Sequence, residues 1–231
     1  MTRAPHTPLP PDHEPKWLGI FTKDKAFYRT FFPLLAIITL QQLAALAVNM
    51  ADNLMLGTYT ELALSGATLV NQIQFTLQQI AAGIGLGIVV LASQYWGQQR
   101  IQPIKQIINI GVKCGLVVGI LFFAICQIAP VGVLSLFTND RAVIDEGVRY
   151  LRIVCWTYLL FAVSNSLMYA LQSVETAIIG TIMSISTICI NICLNYCLIY
   201  GHFGAPELGI EGAAIATLCS RFVELVIILV Y

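Results

Sequence analysis

The residues of this chain whose types and spacing allow chemistry are polar groups set inside long apolar stretches. Asp52, in NMADNLMLG, leads them. An ionisable group at membrane depth costs several kcal/mol unless it faces a cavity or a partner, so this carboxylate is not expected to point at lipid. Gln42, Asn49 and Asn53 lie on or beside the same helical face, at separations of three, four and seven. Ser184, Thr187, Asn191 and Asn195 follow at i, i+3, i+7 and i+11, on a stretch otherwise made of Ile, Cys, Leu and Met. Tyr158, Asn165, Tyr169 and Gln172 share another face with Tyr150 at its outer end, and Asn71, Gln72, Gln74, Gln78 and Gln79 open a fourth stripe. One such stripe can be interhelical glue, worth about 1 kcal/mol or less per pair. Four of them predict a water-accessible central cavity. Arg221 and Glu224, three residues apart, can neutralise each other on one face, or Arg221 can reach a neighbouring helix.

Other chemistries lack residues to carry them. There is no GxSxG or HExxH, and His6, His13 and His202 fall outside the apolar stretches, so no enzyme is expected. No Lys/Arg cluster forms a nucleic-acid groove, and net charge is zero, which argues against nucleic acid as a partner. The seven cysteines lie within apolar stretches and read as small buried thiols, not exported disulfides. Cys189, Cys193 and Cys197 share a face, but no histidine or charged residue nearby completes a metal site. Gly83, Gly85 and Gly87 lack the preceding strand that a dinucleotide loop needs. Gly83 with Gly87, and Gly111 with Gly115 and Gly119, instead match small-xxx-small helix contacts.

The elements that hold these groups follow from composition. Of 231 residues 58% are apolar and 10% charged, with a mean hydropathy of +0.80, too few charges to cover a water-soluble globule. The lipid bilayer is the expected solvent. At roughly 20 apolar residues per crossing, an all-α membrane protein of six spans is predicted, over about 33–56, 66–91, 107–128, 148–171, 177–200 and 210–231. Residues 1–15 read as a disordered polar N-terminus. Residues 16–32, where Trp17, Phe21, Phe27 and Tyr28 interleave with Lys23, Lys25 and Arg29, read as an interfacial amphipathic helix and not a secretory signal. The segment GHFGAPELG, 201–209, is the clearest turn. Basic residues set the orientation. With the N-terminus inside, Arg3, Lys16, Lys23, Lys25, Arg29, Arg100, Lys105 and Lys113 lie on the cytoplasmic side against Arg141, Arg149 and Arg152 outside. A multi-pass protein of the cell membrane with a cytoplasmic N-terminus is expected.

Three segments resemble the N-terminal half of multidrug and toxic compound extrusion (MATE) transporters. PLLAIITLQQLAALAVNMADNLMLG is similar to the family's first helix, and GIGLGIVVLASQYWGQ to the end of its second. NICLNYCLIYGHFGAPELGIEGAAIATLCSR resembles the fifth helix, the outer loop and the start of the sixth. The resemblance runs from about Thr30 to Tyr231. It implies one six-helix lobe of a two-lobed, 6+6 transporter, and a cation-coupling site at Asp52, Asn191, Asn195, Tyr150, Asn165 and Thr217. The sequence also departs from the family pattern. Asn195 stands where some relatives carry a second aspartate, Gln172 where arginine is common, and Glu175 and Gly180 where glycine and proline are usual.

The function so implied is export of hydrophobic or cationic drugs or metabolites in exchange for H+ or Na+. No cofactor is expected beyond the coupling ion, with Na+ at Asp52 the one metal considered. Gln42, Asn49, Gln78, Tyr158 and Tyr169 are the expected substrate-cavity residues. The family has twelve helices and no internal repeat occurs in these 231 residues, so a second six-helix lobe is an expected partner. Two alternatives stand beside this reading. One is a truncated, non-transporting fragment or membrane subunit. The other is a lipid-linked oligosaccharide flippase, which requires a markedly cationic cavity, whereas Arg221 is the only basic residue deep in a span.

Overall fold

The computed structural model describes residues 25–174, 176 and 178–231. The expected polar N-terminus, residues 16–24 of the expected interfacial helix, and Glu175 lie outside them. The elements are α1 (Lys25–Tyr59), α2 (Glu61–Gly97), α3 (Ile101–Ile128), α4 (Pro130–Leu134), α5 (Arg141–Ser173), α6 (Ile178–Tyr200), a 3-10 turn (His202–Gly204) and α7 (Ile210–Val230). Among the described residues none is in a strand. Six of the helices are long and apolar enough to cross a membrane, so the chain is a multi-pass membrane protein. Spans four, five and six of the sequence correspond to α5, α6 and α7.

Helix ends fall where local chemistry stops the chain. Thr60 caps α2 by accepting from the Ala63 amide at 3.1 Å, and Asp140 caps α5 through the Ala142 amide at 2.9 Å. Between α6 and α7, Gly201, Gly204 and Gly209 all take positive φ, the left-handed region open to glycine at no steric cost. At Gly209 a Cβ would run into the Tyr59 ring, so this turn also seats the end of α1. Two features of the helices depart from the sequence reading. Pro33 is not the start of a helix but lies inside α1, which already runs through residues 25–32. The loop after α3 carries a short helix, α4, started by Pro130 at its first turn.

Lipid tails are as apolar as leucine, so helices in a membrane associate through close packing and hydrogen bonds more than through hydrophobic burial. Small residues set the pattern here. Gly115 and Gly119 bring α3 against α5, where a Cβ would stand 3.1 Å from the Ala162 carbonyl and 3.0 Å from that of Tyr158. On α2 the expected Gly83/Gly87 pair makes no such contact, since nothing lies within 4 Å of a Cβ at either position. The packing glycine on that helix is Gly85, covered by the Tyr169 ring. The cysteines also divide: Cys126 and Cys155 are buried, whereas Cys114, Cys189, Cys193 and Cys219 lie exposed on outer helix faces. Those four correct the expectation of buried thiols.

Helix α5 is the centre of the lobe, packed by α2, α3 and α7. Helix α1 packs on α6, α6 on α7 and, sparsely, α2 on α1, which closes a ring of five helices with α3 outside it. The main apolar core, including Leu77, Leu151, Val154 and Tyr158, fills the contact between α2, α5 and their neighbours. It leaves the inside of the ring polar.

Candidate functional site

The ring encloses one cavity of about 390 Å³, lined from α1, α2, α5, α6 and α7 and from no residue of α3. Asp52 enters it from the last two turns of α1. This acid is 7% exposed, and behind it Asn191 is 1% and Asn195 0% exposed. The Asn195 amide donates to the Asp52 carboxylate, and the same nitrogen donates to Asn191 Oδ1 at 3.1 Å. Both hydrogens of that nitrogen are therefore committed. An α6 residue thus holds an α1 carboxylate, a charge-assisted bond of the stronger class. Buried Tyr150 of α5 and Thr217 of α7 line the same cavity.

Three buried atoms beside this contact have no partner among the described residues: Thr187 Oγ1, Asn191 Nδ2 and Asn195 Oδ1. A buried polar atom left unpaired costs about 1–3 kcal/mol. Two of them are oxygens that can accept from water or meet a small cation, and one is an N–H that can donate to an acceptor. Among the described residues no cluster of three His, Cys, Asp or Glu forms a metal centre.

A second polar group faces the same cavity. Arg221 Nη1 donates to Glu224 Oε2 at 2.7 Å, and Ser164 of α5 donates to the other carboxylate oxygen, Oε1, at 3.2 Å. The Arg221 guanidinium lies over the Phe161 ring, 5.3 Å from its centroid. Arg221 therefore does both things the sequence left open: it pairs with Glu224 and reaches α5. With Asp52 ionised, these three charges sum to minus one; a single proton makes the sum zero.

Most of the residues nominated from the sequence converge here. Asp52, Asn191, Tyr150, Asn165 and Thr217 line the cavity, with Gln42, Asn49, Gln78 and Tyr169, while Asn195 stands directly behind Asp52. Tyr158 does not belong with them. It is 1% exposed and lies in the apolar core, because α3 closes over that turn of α5 through Gly119. Asn53 lies to one side, in a shallower notch between α1 and α2. Sequence reasoning missed Ser164 and the place of Glu224 in the cavity. Thr217, Arg221 and Glu224 stand at i, i+4 and i+7 on α7, a readable stripe. Ser164 carries no comparable signal.

The model of the MatE family matches residues 37–197. A probable multidrug resistance protein NorM of Thermotoga maritima is 28% identical over 179 residues, covering 76% of this chain and 38% of the relative. A probable multidrug resistance protein NorM of Rhizobium meliloti is 30% identical over 177 residues, with 77% and 38% covered. The chain thus spans well under half the length of these curated relatives. Among solved structures, an outward-facing multidrug resistance MATE family transporter of the MOP superfamily superposes with a TM-score of 0.78 at 18% identity, over 86% of this chain and 43% of that one. A MOP superfamily transporter from Pyrococcus furiosus gives 0.77 at 18% identity with the same coverage. These two likenesses concern the fold.

Proposed function

This chain belongs to the MatE family of transporters, and on that premise we propose that it forms one lobe of an antiporter that exports small organic molecules in exchange for protons. The observation that carries the reading is Asp52. It is a buried carboxylate that faces a five-helix cavity and is held by an amide instead of an opposite charge. A paired carboxylate is locked in its ionised form, whereas one held by neutral amides can take up and release a proton as the cavity opens to either side. Proton loading removes the cavity's net negative charge and weakens the bond that the Asn195 N–H donates. Either change alters what the cavity holds, so ion and cargo compete through one site and are thermodynamically linked.

The relatives' names support a drug-like cargo, and hydrophobic or cationic compounds are the starting class for assay. Asp52, Asn191, Asn195, Tyr150, Asn165 and Thr217 are the coupling residues of this proposal. Sodium is the alternative coupling ion. A second six-helix lobe is the proposed partner, because the curated relatives are more than twice as long as the matched region. The flippase alternative is disfavoured by charge, since Glu224 neutralises Arg221 and leaves no cationic lining for a pyrophosphate among the described residues.

Dye efflux from cells expressing the chain at its native locus tests the proposal. Asp52→Asn is expected to abolish efflux at normal expression, and collapse of the proton gradient to stop the wild type. Wild-type efflux in Asp52→Asn would sink the assignment, and loss of efflux on removing sodium alone would make sodium the coupling ion. If neither form moves dye, the reading as a non-transporting fragment or subunit gains.

A further inference from the structure

We propose that the cavity is built for an uncharged solute rich in hydroxyl or amide groups, of sugar-like chemistry, in preference to a flat hydrophobic cation. The inference rests on the transport reading for the idea that this cavity takes a cargo. What carries it is a set of six carboxamides: Gln42 of α1, Asn71, Gln74 and Gln78 of α2, and Asn165 and Gln172 of α5. All six line the one cavity, and among the described residues none makes a side-chain hydrogen bond to protein. If they were helix glue they would be bonded to one another across the ring. Instead Asn71, Gln74 and Gln78, at i, i+3 and i+7, form a continuous edge on α2 with its bonding capacity unspent.

Each carboxamide offers two N–H donors and a carbonyl acceptor without charge. That balance suits a hydroxyl, which donates and accepts at once, or an amide. A cation without hydrogen-bonding edges would strip water from these groups and return nothing, at about 1–3 kcal/mol for each group left unpaired. A site built to bond a polar group discriminates strongly against an analogue that lacks it. Charge points the same way. Glu224 occupies Arg221, so among the described residues of the lining no free cation awaits a phosphate or carboxylate, and with Asp52 protonated that lining is neutral. The Tyr169 ring adds an apolar face against which the C–H side of a sugar ring can lie.

Binding to the chain in detergent-free nanodiscs, measured by calorimetry, tests the proposal. Three probes serve: methylumbelliferyl glucoside, its aglycone methylumbelliferone, and ethidium as the flat cation. The glucoside is expected to bind at least about tenfold more tightly than the aglycone, equivalent to one or two net hydrogen bonds. Gln78→Leu and Asn165→Leu should each weaken the glucoside by about fivefold and leave the aglycone unchanged. The wild-type comparison stands even if a variant fails to fold. Equal or tighter binding of aglycone or ethidium overturns the proposal, as does binding of no probe. Ethidium binding that depends on Asp52, without glucoside preference, overturns it while leaving the antiport reading intact. Glucoside preference alongside wild-type efflux in Asp52→Asn upholds it and sinks the coupling role instead.

Discussion

Arg221 and Glu224 share one solution to the same problem: each is a charge inside a membrane lobe, and each is stable there because the other is 2.7 Å away. Their side chains are 23% and 11% exposed, so water screens them only in part. Removing one partner from such a pair leaves an uncompensated charge, which costs about 3 kcal/mol, while replacing both with apolar residues of similar size costs far less. Arg221→Met is therefore expected to destabilise the lobe by about that amount, and Arg221→Met with Glu224→Met to restore most of it. Unfolding in mixed SDS micelles reads both, and a double variant as unstable as the single would show that the pair has no such coupling. At this scale the sequence was informative about type and less so about direction. The acid of α1 and the asparagines of α6 were legible because lipid rejects them. Tyr158 was misplaced because an amphipathic side chain is content either in a core or on a wet wall, and only α3 decides which.

Helices read well from hydropathy, and their partners read poorly. Six apolar runs sufficed to find the spans, since each needs about 20 apolar residues to cross. The four-residue glycine rhythm, by contrast, appears on both α2 and α3 but packs only on α3. Spacing reports that a face is smooth, not that anything lies against it. The two helices thus make opposite predictions. Gly115→Ala places a methyl 3.0 Å from Ser166 Oγ and 3.1 Å from the Ala162 carbonyl, and overpacking of this kind costs roughly 1–3 kcal/mol. Gly87→Ala meets nothing within 4 Å and should stabilise α2 by up to about 1 kcal/mol through helix propensity. The same micelle unfolding measures both signs. Similar shifts for the two would mean that α3 is not held to α5 by its glycines.

For the whole molecule, the crossing of the bilayer fixes which ends of the helices meet water on each side. With the N-terminus inside, the α6–α7 turn faces outward and the α2–α3 turn inward. In a bacterial host, alkaline phosphatase fused after Gly204 should be active and after Gln99 inactive; the reverse result would invert the lobe. The ring of five helices was legible only as four polar stripes, because no stripe says which neighbour it faces. Closure of that ring depends on contacts distant along the chain. Asp52 and its amide partner Asn195 are 143 residues apart, and Gln41 reaches Thr181 across 140. At about 5–20 residues per second of synthesis, α6 leaves the ribosome roughly seven to thirty seconds after α1. Through that interval the first helix holds an acid in the membrane before its partner exists. The nascent chain must keep that acid neutral, near the water boundary or shielded by the insertion machinery, which makes early biogenesis of α1 the step most exposed to change at position 52.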